Sequence, residues 1–394
     1  MVASMLEGMH PNDQFGHSVG VSSTGHVVAV GANRPQGGDP GYAQVFGLNQ
    51  GTTWEPIGET LEGKDPTSPF GSDLSLSKNG QVIAIGSEGG IQAKGYVEVH
   101  KFDQGDWKLL GARLEGDVVG DGFGSAVSLS NDGNVLAVGA PQFENSKGMI
   151  RTFSFNSETN VWERLGQDLL GGELDQQFGR KLSLSGDGKH VVGGGRYPTM
   201  DRNGQPATEH LLRVHSLTET GDAWLRLGAD VSLAVQTEAG APQEWASHSV
   251  ALTDNGHMIV VGTLMTPMDV TNTDEATAGS VRVYEYDGER AWKPKGQTIT
   301  GNGDGDAFGL NVAVSGDGNI VASASLLYTN GASGHARVFA WNGNTWDPLT
   351  TGGETLDNKR GHNVALSKDG KTVVVSSHIQ NKGYVEAYTR NTQA

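Results

Sequence analysis

The chain has 394 residues, no cysteine and a formal net charge of −17. The missing cysteines exclude a disulfide framework, so the fold must hold by burial alone. The acidic balance disfavours nucleic acid and anionic membrane surfaces, which require a basic footprint, and leaves cationic partners and divalent ions open.

From the N-terminus, residues 1–10 lack a basic segment followed by an apolar run, so no secretory signal is read there. No stretch reaches the ~18 consecutive apolar residues of a membrane helix. No Asn-x-Ser/Thr sequon occurs, which disfavours a heavily glycosylated ectodomain. A unit then opens at Phe15-Gly16 and returns at Phe70-Gly71, Phe123-Gly124, Phe178-Gly179, Trp245-Ala246, Phe308-Gly309 and Arg360-Gly361, in steps of 52 to 67 residues. Such a period marks a repeat architecture. Each unit holds four short strand patterns separated by glycine-bearing turns. The prediction is all-β: a seven-bladed β-propeller of four-stranded antiparallel blades, one domain over residues 1–394, with almost no α-helix.

The third unit shows the pattern. Phe123–Ser130 alternates apolar and small residues, the period of a strand. Asn131-Asp132-Gly133-Asn134 is a tight turn. Val135–Gly139 is an apolar run suited to a strand buried on both faces. Residues 140–147 read as a loop, Gly148–Phe155 alternates again, and Val161–Gly166 closes the unit. These are strands A to D. A is predicted to line a central channel, with Ser128 and Ser130 at the crowded centre and Val127 and Leu129 between blades. D forms the rim. The outer-strand tryptophans Trp54, Trp107, Trp162, Trp224, Trp292 and Trp346 recur in register. They are read as fillers of the widening gap between blades, with an indole N–H that reaches solvent or a carbonyl.

The Phe-Gly opening followed by Gly-Ala-Pro, as in Phe123-Gly124 and Gly139-Ala140-Pro141, resembles the FG-GAP repeat of integrin-alpha-type propellers. Weaker echoes stand at Gly31-Ala32-Asn33, Gly86-Ser87-Glu88 and Gly194-Gly195. The resemblance covers about residues 6 to 389 and implies the propeller fold. Propellers of this type serve adhesion receptors and lectins, so it implies a binding or adhesion role in an extracellular or cell-surface setting. One departure is plain. Integrin-type repeats often carry an acid-rich calcium loop between A and B, whereas here those connections, such as Ser185-Gly186-Asp187-Gly188, offer one or two carboxylates at most. That is too few for a hard cation, so they are read as turns.

Departures from the repeat cluster in blades 4 and 5: residues 196–209 between B and C of blade 4, residues 231–244 leading into blade 5, and residues 264–278 between B and C of blade 5. B–C loops and D–A connections emerge on one face of a propeller, and insertions often mark a binding face. The candidate ligand-binding residues are Arg196, Tyr197, Asp201, Arg202, Met265, Asp269 and Asp274, of types that interfaces favour. No nucleophile elbow, His-Glu-x-x-His, phosphate loop or cysteine nucleophile is present. The expected function is therefore a non-enzymatic binding or adhesion module for a protein or glycan, acting as a monomer or as part of a longer chain. The alternatives are a cation-dependent enzyme at the channel mouth and a structural component of a larger assembly.

No cofactor is required by this reading, but a divalent cation has two candidate positions. The D–A connections carry acids near the mouth, most densely at Asp304 and Asp306, although Asp is also ordinary turn chemistry. His17, His248 and His362 share one position at the start of strand A, and His17 and His362 fall on neighbouring blades. Packing histidines are the competing reading. Finally, Met5-Leu6-Glu7-Gly8 matches Thr60-Leu61-Glu62-Gly63, while the seventh unit lacks a Trp-bearing D strand. Residues 2–6 are therefore expected to pair with strand C of blade 7 and close the ring.

Overall fold

The computed structural model describes residues 5–33, 40–51, 53–65, 69–89, 93–172, 177–200, 206–233, 244–265, 279–301, 306–325, 335–349, 361–377 and 382–390. Seven antiparallel sheets follow one another along the chain. Their innermost strands, A, are Phe15–Val21, Phe70–Leu76, Ala126–Leu129, Lys181–Leu184, Glu244–Leu252, Asn311–Val314 and Asn363–Leu366. Each A strand touches the A strand on either side, and the seventh touches the first, so the ring is closed. This is the predicted seven-bladed propeller. The one helical turn among the described residues, Phe143–Ser146, is left-handed at Glu144 and Asn145.

Blade 1 shows why the pattern folds this way. Strand B, Val27–Ala32, is buried along nearly its whole length, as its apolar run requires. It pairs with strand C, Tyr42–Asn49. The outer strand comes in two pieces, Thr53–Pro56 and Leu61–Glu62, and both pair with C. Blades 2 to 5 repeat this split outer strand. The Phe that opens each of blades 1, 2, 3, 4 and 6 is fully buried. Each contributes about 1.5–3 kcal/mol by leaving water.

Two sets of side chains tie each blade to the next. At the rim, the indole N–H groups of Trp107, Trp162, Trp224, Trp292 and Trp346 donate to carbonyls of the preceding blade: Ile57 (2.8 Å), Leu110 (2.9 Å), Leu165 (2.9 Å), Leu227 (3.0 Å) and Lys295 (2.8 Å). The Gly after each of those carbonyl residues has positive φ and lies against that Trp. A Cβ on Gly58 would come within 2.5 Å of Trp107 Cδ1. This explains the Leu-Gly of the repeat. At the centre, polar side chains of strand A join every seam. Ser18 Oγ donates to the Gly71 carbonyl. Asp73 Oδ2 accepts from Val127 N–H at 2.8 Å, and Ser128 Oγ from Leu184 N–H at 3.0 Å. Ser183 and Ser249 accept in the same way from Leu252 and Val312. Asn311 donates to Asn363, which donates to the His17 carbonyl at 2.5 Å.

The A–B turns close one end of the channel. Ser23 N–H donates to Lys78 O, Lys78 to Asn131, Asn131 to Gly186, Asp187 to Asp254, Asp254 to Gly316, Gly316 to Lys368, and Asp369 back to Ser23. The result is an unbroken seven-membered hydrogen-bonded ring. Side chains fill its middle. A Cβ on Gly186 would meet Asn131 Nδ2 at 2.3 Å and Asp254 Oδ1 at 2.5 Å, and one on Gly316 would meet Asp254 Oδ2 at 2.5 Å. Lys368 Nζ reaches Asp254 Oδ1 at 3.1 Å. Each turn is also braced from within: Ser130 Oγ donates to Asp132 Oδ1 at 2.5 Å, and Asp132 Oδ1 accepts from Asn134 N–H.

The N-terminal segment enters blade 7. Leu6 pairs with Val385 and Glu7 with Tyr384 of strand C, Tyr384–Thr389. Leu6 and Glu7 thus stand where Leu61 and Glu62 stand in blade 1. The pairing expected over residues 2–6 is seen at Leu6 and Glu7; residues 2–4 lie outside the described residues.

Candidate functional site

The opposite end of the channel carries the B–C loops and D–A connections, and among the described residues it differs between blades 3, 4 and 5. In blade 4, strands B (His190–Met200) and C (Pro206–Leu217) run on together. Elsewhere, among the described residues, B–C pairing ends at pairs such as Ala140↔Met149 and Ser325↔His335. In blade 4 it continues past the equivalent Gly195↔Leu211 for five more pairs, from Arg196↔His210 to Met200↔Pro206. Within the segment expected as a loop over 196–209, residues 196–200 and 206–209 are therefore paired strands that form a two-stranded ribbon; residues 201–205 lie outside the described residues. Beside it, strand A of blade 5 begins at Glu244, where Glu244 pairs with Met265 and Trp245 with Leu264 of strand B, Met258–Met265. Both ribbon strands touch this strand A.

Of the candidate ligand-binding residues, Arg196 and Tyr197 fall in the ribbon, opposite His210 and Glu209, and Met265 ends strand B of blade 5. Asp201, Arg202, Asp269 and Asp274 lie outside the described residues, as does Asp304. Asp306 is buried in blade 6, where it accepts from the Ser325 hydroxyl and lies 3.4 Å from His335 Nε2. Asp13 is buried in the equivalent place and accepts from Phe15 N–H and the Tyr42 hydroxyl. Both acids brace the turn into strand A. His17 and His362 occupy matching positions on neighbouring blades. His362 is buried with Nδ1 3.3 Å from Ser377 Oγ. Among the described residues, no three His, Cys, Asp or Glu side chains gather closely enough to hold a metal ion.

A second group of side chains, unmarked by any motif, meets at the mouth across blades 2, 3 and 4. Asp73 and Lys181 stand at the strand-A position that joins the seam in other blades. Asp73 does join it. Lys181 does not: its exposed side chain makes no hydrogen bond or ion pair among the described residues, and its charge favours the ionised forms of Asp73 and Glu88. Burial pushes the Asp73 carboxyl up to about 6, against the pull of Val127 N–H and the Lys181 ammonium. Burial raises Glu88 as well, opposed by Arg180 and Lys181. Asp121 is raised in the same way, chiefly by burial.

Between them lies blade 3. The Ser125 hydroxyl and Gln142 Oε1 are buried there without a hydrogen-bond partner. A Cβ on Gly122 would sit 1.9 Å from Gln142 Oε1 and 3.5 Å from Glu88 Oε1, so the Gln142 side chain packs closely on Gly122 and leaves no room for a larger residue there. The Gln142 side opens a strained loop, with Glu144, Asn145 and Ser146 all at positive φ (46°, 57° and 63°). Val118 and Val119, 55% and 50% exposed, form an apolar tip on the adjoining D–A connection. Deeper in the channel, Ser75, Ser128 and Ser183 face it from blades 2 to 4. Gly20, Ala251, Ala313 and Ala365 hold the same position in the other blades. The polar arc of the channel therefore lies under the mouth group.

No family model and no curated protein matches the chain, so the FG-GAP resemblance rests on the repeat itself. Solved structures are similar in fold. A chain of a mitotic checkpoint complex superposes with a TM-score of 0.58 at 13% identity, covering 99% of this chain and 96% of that one. A putative 6-phosphogluconolactonase from Bacteroides uniformis gives 0.57 at 15% identity, covering 93% and 92%. A periplasmic gluconolactonase from Pseudomonas aeruginosa gives 0.54 at 15%, covering 87% and 85%. At such identities the likeness is one of fold, and by name two of these proteins are lactonases while the other belongs to a checkpoint complex.

Proposed function

We propose that this protein is a non-enzymatic binding module whose partner is another protein, held on the B–C/D–A face against the blade 4 ribbon. The observation that carries this is the ribbon itself: five residue pairs beyond the length the repeat needs, set beside the lengthened inner strand of blade 5. An insertion serving only to close the ring has no reason to extend the pairing beyond the length the other blades use. The exposed Val118–Val119 tip across the mouth adds apolar contact surface. A ribbon and a separate apolar tip suit a broad partner better than a small one. Membership of a multiprotein complex by one structural relative is consistent with this use of the fold.

The test is to replace residues 196–210 by the Pro141–Gly148 connection of blade 3. A photo-crosslinking residue at position 203 of the intact chain should trap a protein partner from the native extract, and the exchanged chain should fail to bind that purified partner at an unchanged melting temperature. Equal binding by both chains overturns the reading. Capture of glycans alone on an array moves the recognition to a different ligand class.

The raised carboxyls at the mouth favour a second reading, an enzyme acting there, since clefts with shifted carboxyls are where general acids and bases are found.

A further inference from the structure

We propose that the break in the outer strand of blade 5 is a binding site for a carboxylate, outside the ribbon surface and independent of it. In blades 1 to 4 the same break is bridged by a matched pair, one residue of strand C against the residue just before the second outer piece. In blade 1 Gln44 Nε2 donates to Thr60 Oγ1 at 3.1 Å. In blade 2 Arg113 Nε and Nη2 donate to Glu98 Oε1 at 3.0 and 2.8 Å. Blade 3 exchanges the charges: Arg151 grips both oxygens of Asp168 at 2.8 Å. In blade 4 Arg213 Nε donates to Asp230 Oδ2 at 3.2 Å. A neutral residue meets a neutral one and a charge meets its opposite, whichever strand carries it.

Blade 5 keeps only the cation of this pair. Its register is the same, with Val281↔Ile299 standing where Ile150↔Leu169 stands in blade 3, so Arg282 takes the place of Arg151 and Thr298 that of Asp168. Arg164 and Arg226, which approach the acids of blades 3 and 4, give way to Pro294. Here the rim holds a pocket of about 260 Å³, lined by Arg282, Pro294, Gln297, Thr298 and, from blade 4, Ser232. Pro294, Gln297 and Thr298 are exposed, so the pocket is reached from solvent. An arginine in this position can hold two acids at once: Arg151 also donates to Asp117 Oδ2 at 2.7 Å. Contacts that Arg282 makes elsewhere therefore do not exhaust its planar fork. A planar carboxylate fits that fork as Asp168 fits Arg151, and the hydroxyls of Ser232 and Thr298 line the same space. The volume suits an acid of a few heavy atoms, since larger ligands occupy roughly 300–1,000 Å³.

The experiment follows the Arg282 Nε–H resonance of the intact, ¹⁵N-labelled chain, identified by its absence from Arg282→Lys. The probes are acetate, succinate, inorganic phosphate and a blocked Gly-Asp-Gly peptide, at constant ionic strength. At least one carboxylate is expected to shift the resonance saturably, with half-saturation below about 10 mM. Thr298→Asp restores the acid of blades 3 and 4 and should weaken that binding about tenfold or more. Thr298→Asn, of the same size without the charge, should keep it within about threefold. Thr298 is exposed, so both variants test the site in a folded chain. Tighter binding of succinate than of the peptide assigns the site to a free acid, and the reverse to an acidic side chain of a bound protein; either result supports it. The inference is overturned if no carboxylate binds in this range, if phosphate binds more tightly than every carboxylate, if Thr298→Asp binds unchanged, or if Thr298→Asn loses as much as Thr298→Asp. The ribbon exchange should leave carboxylate binding intact, so failure here and failure of the protein-docking reading are distinguishable.

Discussion

The two ends of the channel are made by opposite strategies. At one end seven short turns of nearly the same sequence lock into a single hydrogen-bonded ring, and the side chains of Asn131, Asp254 and Lys368 crowd its centre. At the other end the described blades differ: a ribbon on blade 4, a strained loop on blade 3 and an apolar tip between blades 2 and 3. What repeats along this chain serves to close the ring. What departs from the repeat collects where the ring is open, and that is where recognition is to be sought.

The contrast can be broken most severely by attacking what the two ends share. Phe123→Ala removes a fully buried ring from the seam between blades 2 and 3 and should cost about 3–5 kcal/mol by urea denaturation. A loss below about 1 kcal/mol would show that the repeat's Phe is not what holds the blades. At the closed end, Gly316→Ala places a Cβ 2.5 Å from Asp254 Oδ2 and should cost about 1–3 kcal/mol. Lys368→Met, which loses only a partly exposed ion pair, should cost less than about 1 kcal/mol. Reversal of that order would mean that the ion pair, not the backbone ring, seals the channel.

At the open end the effect depends on pH. A carboxyl raised from 3.8 to about 6 in the folded state prefers to be protonated there. Its contribution to folding is full below about 4 and is lost as pH rises through 6. The loss is on the order of 1–2 kcal/mol once the reach of channel water is allowed for. Asp73→Asn, which keeps an oxygen for Val127 N–H, should match the parent melting temperature at pH 4 and exceed it at pH 7. A gain that shrinks with rising pH would contradict the assigned environment. Smallest of all, Val118→Ser with Val119→Ser should change stability by no more than about 0.5 kcal/mol, because both side chains face solvent.

The propeller, the rim tryptophans and the entry of Leu6-Glu7 into blade 7 were legible in the sequence because each rests on a recurring spacing. The ribbon was not. Pro198 and Pro206 interrupt its strand pattern, and a proline inside a run argues against a strand. Yet a two-stranded ribbon has outer edges where a missing N–H costs little, and Asn203-Gly204 between its arms is a strong hairpin signal. The mouth group was hidden for another reason. Asp73, Lys181, Ser249 and Asn363 share one strand position, and only the geometry separates the side chains that join a seam from the one that does not. Geometry also reads back into sequence. Each Leu-Gly clears the Trp of the following blade, and the sixth unit, which precedes the Trp-less blade 7, has Thr350 where the others have Gly.

The ring of A–B turns has an electrical consequence. Its seven hydrogen bonds all run in one sense around the axis, each peptide N–H pointing to the next blade's carbonyl. Dipoles laid head to tail in a circle cancel along the axis that they encircle, unlike the aligned dipoles of a helix. The closed end therefore projects almost no backbone field down the channel. An ion or ligand entering from the mouth is governed by the side chains it meets there.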